Sequence, residues 1–190
     1  MPIYEFNGKR PLISASAFVH PTAVIIGDAV IGDEVFLAPG AVIRADFGPI
    51  LIGARSSIQD NAVVHVSPRD RVIIAEDVII AHHVVLHDVT IHDRCLVGMG
   101  AVLLQKVVCE EDVFIAAGAV VSQGMYIPAG KLVAGSPARL IRDITSEMKK
   151  RIAKGVDQYV RLGRLYRETM KSLDPASMKS PDADTLPGSR

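Results

Sequence analysis

The sequence contains no tryptophan, and aromatic residues of all kinds make up only 5% of its 190 positions. Aliphatic side chains are plentiful, because hydrophobic residues account for 49% of the chain. A core without large rings has to be filled by Val, Ile, Leu and Ala, which favours thin, regular layers of side chains. The length suits a single domain.

Cysteine and net charge are also scarce. The two cysteines, Cys95 and Cys109, are too few for a disulfide framework, fit a reducing compartment and are expected to be buried small hydrophobes. Lys plus Arg and Asp plus Glu both number 21, so no field of one sign favours nucleic acid or an anionic membrane. No apolar run approaches the roughly 18 residues of a membrane-spanning helix, and the first ten residues lack the apolar stretch of a signal peptide. We therefore expect a cytoplasmic protein that binds neither nucleic acid nor membranes.

The sequence does contain a period of six residues, which is neither the period of two of a half-buried strand nor the 3.6 of a helix. In the first run, Ile13 to Ile43, a second small or apolar residue follows each repeated position by four, ending with Phe47, and residues typical of turns stand between them. This pattern predicts a short strand followed by a corner, with three of each closing one triangular coil. The repeated positions are Ile13, Val19, Ile25, Ile31, Leu37, Ile43, Ile52, Ile58, Val64, Ile74, Ile80, Leu86, Ile91, Val97, Leu103, Cys109, Ile115 and Val121. We predict an all-β fold, a parallel β-helix of about six triangular coils over residues 1–144, with loops leaving the corners at the two breaks in the pattern. General crossover rules favour right-handed connections.

The pattern changes at Thr145, a predicted N-cap followed by the acidic first-turn residue Glu147. An apolar stripe at helical spacing then predicts an α-helix over residues 145–173 that packs on the prism. It comprises Met148, Ile152, Val156, Tyr159, Leu162 and Tyr166. Residues 174–190 are rich in Pro, Ser and Asp without periodicity, which predicts a disordered tail.

The repeat also predicts where the histidines lie. The strands that contain Ile43, Val64 and Leu86 stack on one face. The residues that directly follow these three are Arg44, His65 and His87. Side chains alternate along a strand, so these three point outward in one column with coils about 4.8 Å apart.

His82 belongs to the preceding face of the prism. Three imidazoles form a catalytic Zn²⁺ site with an open fourth position, so His82 of a neighbouring subunit is predicted to complete the pair His65 and His87 in a trimer. His83, adjacent at the corner, is the alternative third ligand. His20 and His92 have no partner histidine and are expected to be solvated.

These residues resemble the γ-class carbonic anhydrases and their relatives. The similarity covers residues 17–142 and runs through RADFG (44–48), SIQDNAVVH (57–65), IIAHHVVLH (79–87), LVGMGAVLL (96–104) and AGSPARLIR (134–142). It implies a left-handed β-helix, a homotrimer and Zn²⁺, with Fe²⁺ or Co²⁺ as alternatives, bound by His65 and His87 of one subunit and His82 of the next. Hydroxide formed on the ion would hydrate CO₂ at the trimer interface. The resemblance further implies that Arg44, Asp46, Gln59 and Asp60 order the interface and the metal-bound water, and that Tyr126 lies near the site.

The opening segment MPIYEFNGKRP and the C-terminal helix look most similar to a subgroup, the accessory proteins of phenylacetate degradation and of the carnitine operon. The phenylacetate proteins are associated with hydrolysis of coenzyme A thioesters. The chain also departs from the family pattern at Ala45, Ser57, Ala81, His83 and Asp88, the last standing where Gly follows the third ligand. The loop 66–71 lacks the acidic proton shuttle of the most active members.

Four functions remain open from the sequence. The first is CO₂ hydration, and the second is acyl-coenzyme A thioester hydrolysis by the same hydroxide. The third is a metal-free acyltransferase with one histidine as general base, and the fourth is a trimeric scaffold without turnover. The expected small-molecule substrate is therefore CO₂ or bicarbonate, or an acyl-coenzyme A.

Overall fold

The computed structural model describes residues 2–178. Short strands follow one another along most of this range, and one long helix closes it. The strands are β1 Ile3–Tyr4, β2 Leu12–Ile13, β3 Phe18–Val19, β4 Val24–Ile31, β5 Phe36–Leu37, β6 Val42–Ile52, β7 Ser57–Ile58, β8 Val63–His65, β9 Val72–Ile74, β10 Ile79–Ile80, β11 Val85–His87, β12 Thr90–Ile91, β13 Leu96–Val97, β14 Val102–Leu103, β15 Val108–Cys109, β16 Phe114–Ile115, β17 Val120–Val121, β18 Tyr126–Ile127, β19 Lys131–Gly135 and β20 Ala138–Asp143. The helix α1 spans Ser146–Thr169, and a 3₁₀ turn follows at Pro175–Ser177.

The strands wind into a solenoid with three faces. The first face contains β1, the first halves of β4 and β6, and then β8, β11, β14 and β17. The second contains β2, the second halves of β4 and β6, and then β9, β12, β15 and β18. The third contains β3, β5, β7, β10, β13, β16 and β19. Every pairing among these strands is parallel, as expected for a chain that passes each face once per coil. The strand β20 turns back and pairs antiparallel with β19 in a hairpin at the end of the third face.

The register agrees with the six-residue repeat. Ile43 pairs with Val64, and Val64 pairs with Leu86. The predicted parallel β-helix with one C-terminal helix is therefore confirmed. The solenoid has about seven turns, because Ile127 and Val133 continue the register beyond the six coils counted from the sequence.

The core is a continuous stack of aliphatic side chains inside the solenoid. Residues such as Ile25, Ile43, Val64 and Leu86 are fully buried there. Cys109 is also buried in this stack, and Cys95 lies beside it with its pKa raised by burial to about 12, so both thiols are inert small hydrophobes.

Helix α1 packs on the third face. Thr145 caps it by accepting a hydrogen bond from the amide of Met148 at 3.2 Å. Ile152, Val156 and Val160 are buried against Ile79. Further along the helix, the apolar residues Tyr159, Leu162 and Tyr166 cover Phe18, Phe36 and Ala38.

Ion pairs along one side of this helix attach it to the prism. The Arg55 guanidinium lies 2.7 Å from Asp157, and the Lys149 amine lies 2.9 Å from Asp112. Within residues 2–178, no helix is long and apolar enough to cross a bilayer. Of the predicted disordered tail, residues 174–190, the structure describes 174–178, which include the 3₁₀ turn; residues 179–190 lie outside the described residues.

Candidate metal centre

Arg44, His65 and His87 form one outward column on the first face. Arg44 pairs in register with His65, and His65 pairs with His87. The six-residue repeat places these side chains on successive coils, because each follows an inward aliphatic residue. The two corner loops do not disturb the column.

The imidazoles of His65 and His87 meet edge to face, with Nδ1 of His65 3.1 Å from Nε2 of His87. The other nitrogen of each ring faces a carboxylate. Nε2 of His65 lies 3.1 Å from Oδ1 of Asp46, and Nδ1 of His87 lies 3.0 Å from Oδ2 of Asp88. Ionised carboxylates only accept hydrogen bonds, so these outer nitrogens carry the hydrogens. The two facing nitrogens then present lone pairs to each other.

Two facing lone pairs repel unless a cation lies between them, so this pair suits a metal ion. Nitrogens each 2.0–2.1 Å from a tetrahedral Zn²⁺ are about 3.3 Å apart, close to the observed separation. Metal-binding histidines commonly donate their other N–H to a carboxylate, as His65 and His87 do. Within residues 2–178 of one chain, no group of three His, Cys, Asp or Glu side chains is arranged to hold an ion. One chain therefore offers two converging nitrogens, and a three-histidine site needs a ligand from elsewhere.

The electrostatics keep His65 neutral, the form that binds metals. Burial lowers the pKa of His65, and the charge of Arg44 adds to this effect against the hydrogen bond to Asp46. Burial alone would raise the pKa of Asp46, but hydrogen bonds from Arg44 and His65 outweigh it and the pKa is lowered. The Arg44 guanidinium lies 2.7 Å from Oδ2 of Asp46. Asp46 is thus a charged acceptor for the imidazole.

His82 lies at the corner between the third and first faces, in the turn between β10 and β11. Its Nδ1 is 2.8 Å from Oδ2 of Asp60, and its side chain is 39% exposed. The third histidine of the predicted set thus also has a carboxylate partner. His83 is exposed beside it with a left-handed backbone (φ +59°), and its amide donates to the carbonyl of Asp60.

A groove opens beside His82, between helix α1 and the third face. Its volume is about 580 Å³, within the range of small-molecule sites. Ile79, Leu96 and Phe114 line its apolar side, while Arg151 and Lys154 of the helix supply positive charge. Gln59, only 4% exposed, lines the same groove as His82.

Comparison with known proteins identifies the family to which the chain belongs. Residues 10–45 match the family model described as Bacterial transferase hexapeptide (six repeats). Carbonic anhydrase of Geobacillus kaustophilus (strain HTA426) is 37% identical over 165 residues, which cover 87% of this chain and 91% of that protein. The chain belongs to the γ-class carbonic anhydrase-like family of hexapeptide-repeat proteins.

Two other relatives define the breadth of this γ-class carbonic anhydrase-like family. Gamma carbonic anhydrase 2, mitochondrial, of Arabidopsis thaliana is 36% identical over 173 residues, covering 87% of this chain and 62% of the plant protein. The chain thus spans about three fifths of the plant relative's length. Carnitine operon protein CaiE of Salmonella agona (strain SL483) is 35% identical over 147 residues, covering 77% of this chain and 74% of CaiE.

The solved structures agree on the fold of the γ-class carbonic anhydrase-like chain. A protein of Bacillus cereus described as a putative acetyltransferase superposes with a TM-score of 0.86 at 38% identity, covering 87% of this chain and 96% of its own. A hexapeptide transferase family protein of Anaplasma phagocytophilum superposes with a TM-score of 0.84 at 34% identity, covering 87% and 98%. Similar chains thus carry both anhydrase and transferase descriptions.

Tyr126 lies away from the histidine column of its own chain. It belongs to β18 on the second face, is exposed, and has its pKa raised by a hydrogen bond to Glu110. Its place near a metal site stays a prediction about a neighbouring chain. His20, expected to be solvated, contacts the hydroxyl of Thr22 through Nδ1 at 2.8 Å.

Two residues beside the γ-class histidine pair differ from their expectation: Asp88 had no predicted role, and Phe47, predicted to point inward four residues after Ile43, is exposed. Asp88 holds the His87 ring, and the exposed Phe47 lies against His65 with ring centroids 5.8 Å apart. The position of Asp88, directly after His87, was the only sequence signal for its contact. Gly48 follows Phe47 and has no room for a side chain, since a Cβ would lie 2.4 Å from the carbonyl of Asp70. Because Gly48 has no side chain, the loop 66–71 can pack closely against it, beside the column of Arg44, His65 and His87.

Proposed function

We propose that this chain is a carbonic anhydrase-like metalloenzyme that hydrates CO₂. A Zn²⁺ ion, with Fe²⁺ or Co²⁺ as alternatives, would be held by His65 and His87 of one subunit and His82 of the next. The observation that carries the proposal is the pair of imidazole nitrogens 3.1 Å apart, each ring fixed by a carboxylate on its far side. An ion bound by imidazoles supplies nucleophilic hydroxide at neutral pH, because it lowers the pKa of a water to about 7.

The surrounding residues have distinct roles in this proposal. Asp46 and Asp88 hold hydrogens on the outer nitrogens of His65 and His87, which leaves the inner nitrogens free to bind. Asp60 does the same for Nδ1 of His82, so its Nε2 is available to a neighbour. Gln59, held in the coil beside His82, would orient the attacking water through its amide.

The divided ligand set supports a homotrimer. His82 lies at a corner, and in its own chain it does not lie close enough to His65 and His87 for the three to hold one ion. A threefold assembly would bring each His82 to the next chain's pair and form three equivalent sites. In this arrangement the Arg44 and Asp46 ion pair lies in the interface and fixes its geometry, and Tyr126 of an adjoining chain would lie near the site.

The groove beside His82 favours hydrolysis of an acyl-coenzyme A thioester as a second candidate. CO₂ and bicarbonate do not need a cleft of about 580 Å³, whereas an acyl group and its pantetheine arm would occupy one. Arg151 and Lys154 at its edge would complement the phosphates of coenzyme A. The solved relatives described as transferases support a metal-free acyltransferase as a further candidate. A scaffold would keep the metal site without turnover.

Mixed trimers test the shared site. His82→Ala and His87→Ala chains, each inactive alone, are unfolded together and refolded. Some interfaces then combine an intact His82 with an intact pair, so Zn²⁺ binding and activity should partly return. Refolding His65→Ala with His87→Ala is the matched control, because no chain in that mixture keeps both members of the pair and nothing should return. Verified mixed trimers that fail to regain metal would refute the shared site and favour His83 or a site within one chain.

Metal content and two assays separate the candidate reactions. Protein purified without chelators should contain about one divalent ion per chain; a metal-free protein with transferase activity would support the acyltransferase instead. CO₂ hydration and thioester hydrolysis are then measured on the same preparation, with Arg151→Gln plus Lys154→Gln as a variant of the groove. This variant should weaken thioester turnover through KM and leave CO₂ hydration unchanged.

A further inference from the structure

Asp88 is the one charged residue that is buried among those the structure describes, at 4% exposure. It also has a left-handed backbone conformation, with φ at +53°, which glycine adopts without strain. Burying a carboxylate is costly unless hydrogen bonds compensate it. Glycine here would avoid both costs, so the carboxylate points to a task of its own.

Both oxygens of Asp88 are engaged. Oδ1 accepts a hydrogen bond from the backbone amide of Ser67 at 2.5 Å, and Oδ2 accepts one from Nδ1 of His87 at 3.0 Å. Ser67 comes two residues after His65, at the start of the loop 66–71. One carboxylate therefore joins the segments that carry the two converging histidines.

We propose that Asp88 is a positioning residue that sets the metal-binding tautomer of His87 and fixes the spacing of His87 from His65. The inference rests on the metal site proposed above and adds a determinant of its affinity. With a hydrogen held on Nδ1, the lone pair of His87 is on Nε2, the nitrogen that faces His65. Without the carboxylate, the ring can rotate or hold its hydrogen on Nε2. The ring must then turn back, or the hydrogen must move to Nδ1, before Nε2 can bind a metal.

Two substitutions separate positioning from a structural role. Asp88→Gly suits the backbone and removes the carboxylate. Asp88→Asn keeps the shape, but its amide group cannot accept from Nδ1 while its oxygen accepts from Ser67. Carboxylates that hold metal-binding histidines typically contribute 10–100-fold to metal affinity. We expect both variants to remain folded trimers and to bind Zn²⁺ about 10–100-fold more weakly in competition with a chromophoric chelator.

Asp112 provides the matched control. Asp112 also has a left-handed backbone, with φ at +59°. Its carboxylate accepts hydrogen bonds from Arg94 and from Lys149 of helix α1, and not from a histidine. Asp112→Asn and Asp112→Gly should keep the wild-type Zn²⁺ affinity. Equal affinity in the wild type and both Asp88 variants would overturn the inference while leaving the metal site intact.

A measurement on metal-free protein keeps the inference separate from the proposed function. Nitrogen NMR of ¹⁵N-histidine protein, assigned with a His87→Gln variant, should show hydrogen on Nδ1 of His87 in the wild type and its loss or exchange in Asp88→Asn. Wild-type protein that shows this signature but binds no Zn²⁺ would refute the metal site and retain the orienting contact. Wild-type protein without hydrogen on Nδ1 would refute the role of Asp88 even if Zn²⁺ binds.

Discussion

Ser56 and Ser57 are neighbours with equally buried side chains and opposite hydrogen-bonding states. The hydroxyl of Ser56 donates to the carbonyl of Ala75 at 2.7 Å and accepts from the amide of Val78 at 2.9 Å. Ser57 lies in register between Phe36 and Ile79 on the face that helix α1 covers. Its buried hydroxyl has no hydrogen-bond partner within residues 2–178. The same change to alanine should therefore have opposite effects at the two positions.

A buried polar group without a partner costs about 1–3 kcal/mol, and a satisfied hydrogen bond contributes about 1 kcal/mol net. Ser57→Ala removes the unpaired hydroxyl and should raise the free energy of unfolding by about 1 kcal/mol. Ser56→Ala removes two hydrogen bonds, leaves buried partners unsatisfied, and should lower it by about 2–3 kcal/mol. For a chain of this length, 1 kcal/mol shifts the midpoint of thermal unfolding by about 2–4 °C.

The assay is thermal and urea unfolding followed by circular dichroism, with all variants at one protein concentration because assembly makes stability concentration-dependent. Each variant's oligomeric state is measured first. Equal losses of stability in both variants would refute the reasoning, since burial and chemical change are matched. An unchanged Ser56→Ala variant would show that its two hydrogen bonds contribute nothing net.

Three further predictions follow from the same contacts. His65→Ala and His87→Ala should each abolish Zn²⁺ binding, measured by metal analysis, while leaving the circular dichroism spectrum unchanged; retention at wild-type stoichiometry would contradict the assignment. Burial alone would raise the pKa of Asp112, but hydrogen bonds from Lys149 and Arg94 outweigh burial and lower the pKa. The ionised Asp112 therefore stabilises the folded protein above the unfolded pKa of about 3.9, and this stabilisation is lost as pH falls through the lower folded pKa. Asp112→Asn should thus cost less than about 1 kcal/mol at pH 7, and this cost should disappear as pH falls through the folded pKa, as read from urea unfolding at each pH. Truncation after Leu173 should leave the melting temperature and oligomeric state unchanged, because the described residues beyond it bury no side chain; a large drop would show that the segment packs.

The fold could be predicted because a solenoid repeats one local rule. An aliphatic residue every six positions determined which strands stack, and that rule placed Arg44, His65 and His87 in one column. Loops inserted at the corners lengthen the chain between strands but do not change which strands pair with each other. The sequence count stopped at Val121, although Ile127 in β18 and Val133 in β19 continue the same six-residue spacing.

Other parts of the site depend on contacts that no period describes. Asp88 follows a strand residue, and alternation alone does not show that its left-handed backbone turns the carboxylate back to His87 and Ser67. The groove beside Gln59 and His82 exists because helix α1, some seventy residues further along the chain, lies across the third face. The spacing within one chain places His82 on a face different from that of His65 and His87, and completion of the site by a neighbouring chain stays a prediction.

The parallel coils have a consequence for how the protein comes apart. In a solenoid each coil contacts only its neighbours, so unfolding can begin at an end and advance coil by coil. The two histidines lie on the adjacent strands β8 and β11, with paired coils on both sides. Fraying of the first coil, or of the β19 and β20 hairpin, would reach them only after several intervening strands had separated. Amide hydrogen exchange should therefore be slowest around His65 and His87 and become faster towards both ends of the solenoid.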